Sequence, residues 1–225
     1  MLILGLDAAL ARCSVAVLAD GVLRAERCED GGRGHAGRLP AMTAAVLAES
    51  RIAATALDAV AVTVGPGSFT GLRAALALAH GLALAIDRPV IGVTTAEALA
   101  AAVTAAERDG RSLWVAIDSR RGRVFLDRLT DAEGARAFSP ETLPHPAGAL
   151  ALAGDAAEAV AARLAAAGVD ARATAVRLPR AREVAAVGGR RLAGDLPPLA
   201  AWPLYVDPPE AKLPEGGLRP PPAAE

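Results

Sequence analysis

The stretch GPGSFTGLR, residues 65–73, holds the side chains and spacing most suggestive of chemistry. Gly65, Gly67 and Gly71, with Ser68 and Thr70 between them, stand where a β-like run passes into a long apolar segment. A helix entered through such a loop presents free backbone N–H groups to an anion. Three specific versions of that chemistry fail. A Walker loop needs Lys-Ser/Thr after its last glycine, and Gly71 is followed by Leu72 and Arg73. A dinucleotide fingerprint needs G-x-G-x-x-G, and here Thr70 occupies the slot of the third glycine. A serine-hydrolase elbow needs G-x-S-x-G, which the residues around Ser68 do not supply. Two readings remain. Either the helix start holds an anion, or the glycines only fix a sharp turn and Ser68 or Thr70 caps the helix; the turn is the simpler reading.

Other reactive types are scattered. His35, His80 and His145 include no pair at the i, i+4 spacing of a helical metal site. Asp7 ends the first strand, where a ribonuclease H-like nuclease keeps a metal-binding carboxylate. The fourth strand ends in Val64-Gly65 without an acid, so the converging carboxylates of a two-metal centre are lacking. Asp118 opens DSRRGRVF, in which Arg120, Arg121 and Arg123 form a small basic cluster able to touch a phosphate, or to serve as an exposed Arg-rich hairpin. Cys13 and Cys28 are too few and too irregular for a disulfide framework or a zinc site. No metal site is expected.

The elements that must position these groups follow from periodicity. LILGLD, CSVAVLAD and VLRAERC read as strands, the last two joined by a tight turn at Asp20-Gly21. DGGRGHAG reads as a mobile loop, and Leu39, Met42 and Val46 then recur at helical spacing. A buried strand at 57–64, the apolar helix, a strand at 89–94 and an Ala-rich helix capped by Thr95 and running to about Arg108 complete the first half. Three antiparallel strands followed by β–α alternation give a mixed sheet flanked by helices, in the order of a ribonuclease H-like unit. The expected first lobe covers 1–108 and is completed by a helix at 180–194. A smaller lobe at 109–179 has strands near 112–117, 123–128 and 149–154 and a helix over 156–167. Residues 195–225 read as a proline-rich tail, extended along the surface and then disordered. No internal repeat is legible.

A chain of 225 residues with 53% hydrophobic but 3% aromatic content must build its core from Ala, Leu and Val. Its 24 basic against 25 acidic residues exclude a protein whose main task is coating nucleic acid. MLILGLD lacks the basic region and cleavage site of a signal peptide, and the apolar run at 74–86 is short of a membrane span. A cytoplasmic chain is expected.

The helix behind the glycine loop has no polar face, since only His80 interrupts the apolar run from 74 to 86. Leu72, Leu76, Ala79, Ala83 and Ile86 suit packing on a sheet, whereas Ala74, Ala77, Gly81 and Ala85 form a small-residue stripe that lets a second helix approach. With the equally apolar Leu39/Met42/Val46 helix beside it, this predicts an exposed patch of the kind that marks a protein contact.

With these residues in view, the chain resembles the TsaB family of bacterial tRNA threonylcarbamoyladenosine biosynthesis proteins. The strongest segment is GPGSFTGLRAALALAHGLALAIDRPVIGVTTAEALA; LGLDAALARCSVAVL, IDSRRGRVF and PLYVDPPEAKLP support it. The resemblance implies an α/β protein of the actin/Hsp70-like ATPase fold, two ribonuclease H-like lobes around a cleft. It implies a non-catalytic scaffold or activator rather than an enzyme, pairing with the catalytic subunit TsaD, joined by the ATPase TsaE and able to self-associate. The complex installs threonylcarbamoyl on the adenosine beside the tRNA anticodon, so tRNA is met only through the complex. It implies a partner interface at Leu39, Met42, Val46, Arg73, Ala74, Ala77 and Gly81, and a degenerate nucleotide cleft at Asp7, Gly65, Gly67 and Ser68 with no required cofactor. Three departures matter. Asp7-Ala8-Ala9-Leu10 lacks the phosphate-loop hydroxyls, no His-x-x-x-His helix is present, and His35-Ala36-Gly37 replaces the family's His-Ser-Glu or His-Ala-Glu. The alternative is an autonomous ATPase or small-molecule kinase of the same fold; a peptidase is the weakest reading.

Overall fold

The computed structural model describes residues 1–31, 34–130 and 134–207. Its first sheet begins with β1 (Leu2–Asp7), β2 (Arg12–Ala19) and β3 (Val22–Asp30). Asp20 and Gly21 both take positive φ, 50° and 77°, the conformation that lets a two-residue hairpin follow the twist of its strands. The chain then adds α1 (His35–Ser50), β4 (Ala59–Gly65), α2 (Phe69–Ile86) and β5 (Val90–Thr94), giving the order β3-β2-β1-β4-β5. β1 pairs antiparallel with β2 and parallel with β4, and β4 pairs parallel with β5. β4 is buried at every residue, which is why its sequence is a continuous apolar run without alternation. Helix α1 begins at His35 and so takes in the end of the stretch read as a loop.

α3 (Thr95–Ala102) and α4 (Ala105–Arg108) replace the single helix expected from Thr95 to Arg108. Thr94, not Thr95, is the cap: its hydroxyl accepts from the Glu97 N–H (3.0 Å) and Glu97 returns a bond to the Thr94 N–H (2.8 Å). Thr104 and Glu107 repeat this reciprocal arrangement at α4, so two capping boxes divide the segment. Thr95 instead buries its hydroxyl and donates to the Pro66 carbonyl at 2.8 Å.

The second sheet contains β6 (Ser112–Asp118), β7 (Val124–Asp127), β8 (Arg136–Phe138), β9 (Leu150–Ala153) and β10 (Ala171–Ala173), with α5 (Ala157–Ala166) between the last two. Its order, β8-β7-β6-β9-β10, and its strand directions repeat those of the first sheet. Two ribonuclease H-like lobes therefore form the actin/Hsp70-like architecture, a duplication invisible in the residues themselves. In the second lobe a single 3₁₀ turn, Pro140–Thr142, stands where the first has the 16-residue α1. The last helix, α6 (Ala181–Leu192), returns to pack across β1, β2 and β4.

Four buried clusters hold the layers. One face of the first sheet packs on α1 and α2, the other on α6 and α3. α5 covers one face of the second sheet. Between the lobes, Ala9, Leu10, Leu72 and Leu99 meet Leu113, Val115, Ile117 and Ala151. Among the described residues α2 is the one helix long and apolar enough to cross a membrane; its Ala75, Leu76, Ala79 and Ala83 pack on the first sheet.

Candidate functional site

A cleft of about 940 Å³ opens between the lobes. The β1–β2 turn, the start of α2, the β6–β7 turn and residues 203–207 line it. Asp7 ends β1 fully buried; its Oδ1 accepts from the Thr63 hydroxyl (2.9 Å) and the Ala9 N–H (3.2 Å). Its Oδ2 is buried without a hydrogen-bond partner among the described residues. Burial raises this carboxyl to about 6, against the pull of those two bonds.

The actin-like fold implies ATP in such a cleft, and several of the groups at its floor are already engaged within the chain. The Ser68 N–H at the head of α2 donates to the Ala9 carbonyl at 2.6 Å, and the Gly71 N–H donates to the Ser68 hydroxyl at 3.2 Å. A Cβ on Gly67 would lie 2.2 Å from the Ala9 oxygen, and one on Gly71 would lie 2.1 Å from the Ala8 oxygen. These two glycines thus admit the β1–β2 turn against the helix, and Ser68 caps α2. The Asp118 carboxylate is likewise engaged. It accepts from the Arg120 backbone N–H at 2.8 Å, and the Arg120 guanidinium lies 3.4 Å from Asp118 and 3.1 Å from Asp155. The Asp118 N–H donates to Asp155 at 2.9 Å, and burial pushes the Asp155 carboxyl up. Arg123 pairs with Asp207 at 2.8 Å. Among the described residues no group of three His, Cys, Asp or Glu side chains is placed to hold a metal ion.

The helical surface divides the expected interface residues in two. Leu39, Met42 and Val46 are buried in the cluster with Leu4, Leu6, Val15 and Val17. They are core, a correction to their expected place at a partner contact: helical spacing marked the apolar face of α1 correctly, but the neighbour covering it is the sheet. The outward face of α1 carries Ala41, Ala44 and Ala48 instead. On α2, Ala77, Gly81, Leu84 and Ala85 are exposed and Ala74 is half-buried; a Cβ on Gly81 meets nothing within 4 Å. Arg73 is exposed but engaged, its guanidinium 3.7 Å from the Phe69 ring centroid and 2.9 Å from the Tyr205 hydroxyl. His80 donates from Nε2 to the Ala201 carbonyl at 2.9 Å and its ring lies 5.9 Å from that of Trp202.

These tail contacts were missed from the sequence. Their only signal was composition: three of the six aromatic residues of the chain, Phe69, Trp202 and Tyr205, gather here exposed.

Comparison with known proteins adds the following. The family model described as tRNA N6-adenosine threonylcarbamoyltransferase, TsaD, matches residues 28–191. The chain is 39% identical over 127 residues to the tRNA threonylcarbamoyladenosine biosynthesis protein TsaB of Escherichia coli, covering 56% of this chain and 53% of that protein. Against the Haemophilus influenzae protein of the same name the identity is 35% with the same coverage. The chain thus spans about half the length of these relatives. In three dimensions it is similar to YeaZ from Pseudomonas aeruginosa, with TM-score 0.72, 30% identity, and coverage of 91% of this chain and 99% of that one. A Pseudomonas aeruginosa protein described as similar to peptidase YeaZ gives TM-score 0.75 at 30% identity, covering 92% of this chain and 99% of that one.

Proposed function

The chain belongs to the TsaB family, and from that premise we propose that it takes part in tRNA threonylcarbamoyladenosine biosynthesis as a non-catalytic scaffold. In this reading it acts in the cytoplasm by pairing with a TsaD homologue through the outer faces of α1 and α2. A TsaE homologue joins the pair, tRNA is met only through the complex, and the chain self-associates when its partner is absent. The observation that carries the reading is the exposed face of α2. Ala74, Ala77, Gly81 and Ala85 offer a floor without long side chains, and Leu84 is 84% exposed beside it. Small residues let a second helix approach closely, and an apolar face of this kind on a water-facing helix marks a protein contact.

The competing reading, an autonomous ATPase or small-molecule kinase, needs phosphate donors and a free carboxylate in the cleft. The Ser68 amide and Asp118 are engaged within the chain, and Asp7 is fully buried with its Oδ1 held by Thr63 and Ala9. We therefore propose that the scaffold works without a bound nucleotide.

Light scattering after size exclusion tests the pairing, with wild type and Gly81→Glu each mixed with the TsaD homologue. The space around Gly81 leaves the fold of the variant intact, which circular dichroism verifies. A carboxylate sealed into a close helix contact costs several kcal/mol, so the wild type forms a heteromer and the variant elutes alone. A wild type that does not pair, or a variant that pairs equally well, overturns the proposal.

A further inference from the structure

We propose that residues 199–207 are an interlobe strap that sets the opening of the cleft. The segment is built into the first lobe rather than laid on it. The Gly92 N–H donates to the Leu199 carbonyl at 3.1 Å, and the Leu204 N–H donates to the Val64 carbonyl at 2.8 Å. Ala201 is 5% exposed and belongs to the cluster formed by α1, α2 and the first sheet. Two absent side chains make room for it: a Cβ on Gly92 would lie 2.6 Å from the Ala200 oxygen, and one on Gly65 3.0 Å from the Leu204 oxygen. Gly92 lies in the middle of β5 and Gly65 ends its neighbour β4, so the strap occupies a track beside the sheet that larger residues would fill.

From that track the segment passes beside α2 to the cleft. His80 holds the Ala201 carbonyl and Arg73 holds the Tyr205 hydroxyl. Residues 203–207 then form one wall of the cleft. At its far end Asp207 reaches the second lobe, where it accepts from Arg123 at 2.8 Å; Arg123 also donates to the Ala137 carbonyl in β8 at 3.2 Å. Among the described residues, the first lobe is thus held by backbone hydrogen bonds and a buried alanine, and the second by the Arg123–Asp207 ion pair. A tether with one firm and one weak end fixes a separation while leaving it adjustable, because a single ion pair whose guanidinium is exposed to water is readily broken. The interlobe cluster of Leu10, Leu72, Leu113 and Ile117 acts as the hinge floor on which the strap closes.

The test is a distance measured between nitroxide labels at Ala48→Cys on α1 and Ala162→Cys on α5, in the full chain carrying Cys28→Ser. Both label sites are exposed and on different lobes. Asp207→Arg and Arg123→Asp each put like charges at the clasp, and the two together restore an opposite pair. Circular dichroism melting confirms that all three variants remain folded. The expected result is a longer-distance population that rises about fivefold in each single variant and returns to the wild-type level in the double variant. An unchanged distribution in the single variants overturns the proposal, and so does a double variant as open as the singles.

Discussion

The carbonyl oxygen of Ala9 and the amide of Ser68 are 2.6 Å apart, so the turn after β1 is docked backbone to backbone on the head of α2. That contact depends on Gly67, whose missing Cβ would stand 2.2 Å from the same oxygen. Backbone atoms on both sides cannot step aside as a flexible side chain can. Gly67→Ala is expected to lose about 3 kcal/mol of unfolding free energy in urea titration. Gly81→Ala, with open space at its Cβ, is expected to hold or gain stability through better helix propensity. Equal effects at the two positions would show that the docked turn has no such constraint.

Met42 and Gly81 separate core from surface. Met42→Ala empties volume beneath α1 and is expected to cost about 2–4 kcal/mol, while the folded fraction binds the TsaD homologue with wild-type affinity. Gly81→Glu is expected to do the reverse, with a wild-type melting curve and no pairing. Calorimetric titration of each folded variant reads both. Loss of affinity in folded Met42→Ala would return that residue to the interface.

Asp7 makes stability depend on pH. Its carboxyl is raised from 3.8 to about 6 by burial, so between those values the folded chain binds a proton that the unfolded chain has released. The stabilisation it contributes is fully present below the unfolded value and is lost as pH rises through about 6, a swing of about 3 kcal/mol. Asp7→Asn, which keeps an acceptor for Thr63 and Ala9, removes that swing. Urea denaturation at a series of pH values from 4 to 8 is expected to show the variant gaining on wild type as pH rises. A constant difference between the two across the range would contradict the assignment.

Thr94 and Thr95 are adjacent but do different work. Thr94→Ala removes the cap of α3 and is expected to cost about 1 kcal/mol and to speed amide exchange at Glu97, whose N–H the hydroxyl accepts. Thr95→Ala breaks the buried bond to the Pro66 carbonyl and is expected to leave Glu97 exchange unchanged. Exchange measured residue by residue distinguishes the two.

Much of the first lobe was legible because each element is long enough to show its period. β1 and β2 followed from short apolar runs bounded by turn residues, and the two faces of α2 from helical spacing. β8 and β10, three residues each, are too short to carry a period and take their conformation from the strand beside them. Periodicity also says that Leu39, Met42 and Val46 share a face, but not which layer covers it; that is decided by β1 and β2, 20 and more positions away. For the cleft, GPGSFTGLR was correctly located at a strand-to-helix turn. Its glycines serve the turn from β1 and the strap from the end of the chain, and neither partner lies nearby in sequence. Trp202 and Tyr205 belong to no periodic element, so their approach to His80 and Arg73 left no local trace.

The duplicated lobes are unequal in one respect that bears on assembly. Only the first carries the helix pair α1 and α2 on one face of its sheet; at the matching place in the second stands the 3₁₀ turn Pro140–Thr142. A particle with such a face at both ends would offer two equivalent docking places. With the face at one end, the contact proposed above is monovalent. In the proposed pairing one docking event consumes it, and assembly through α1 and α2 stops at a pair.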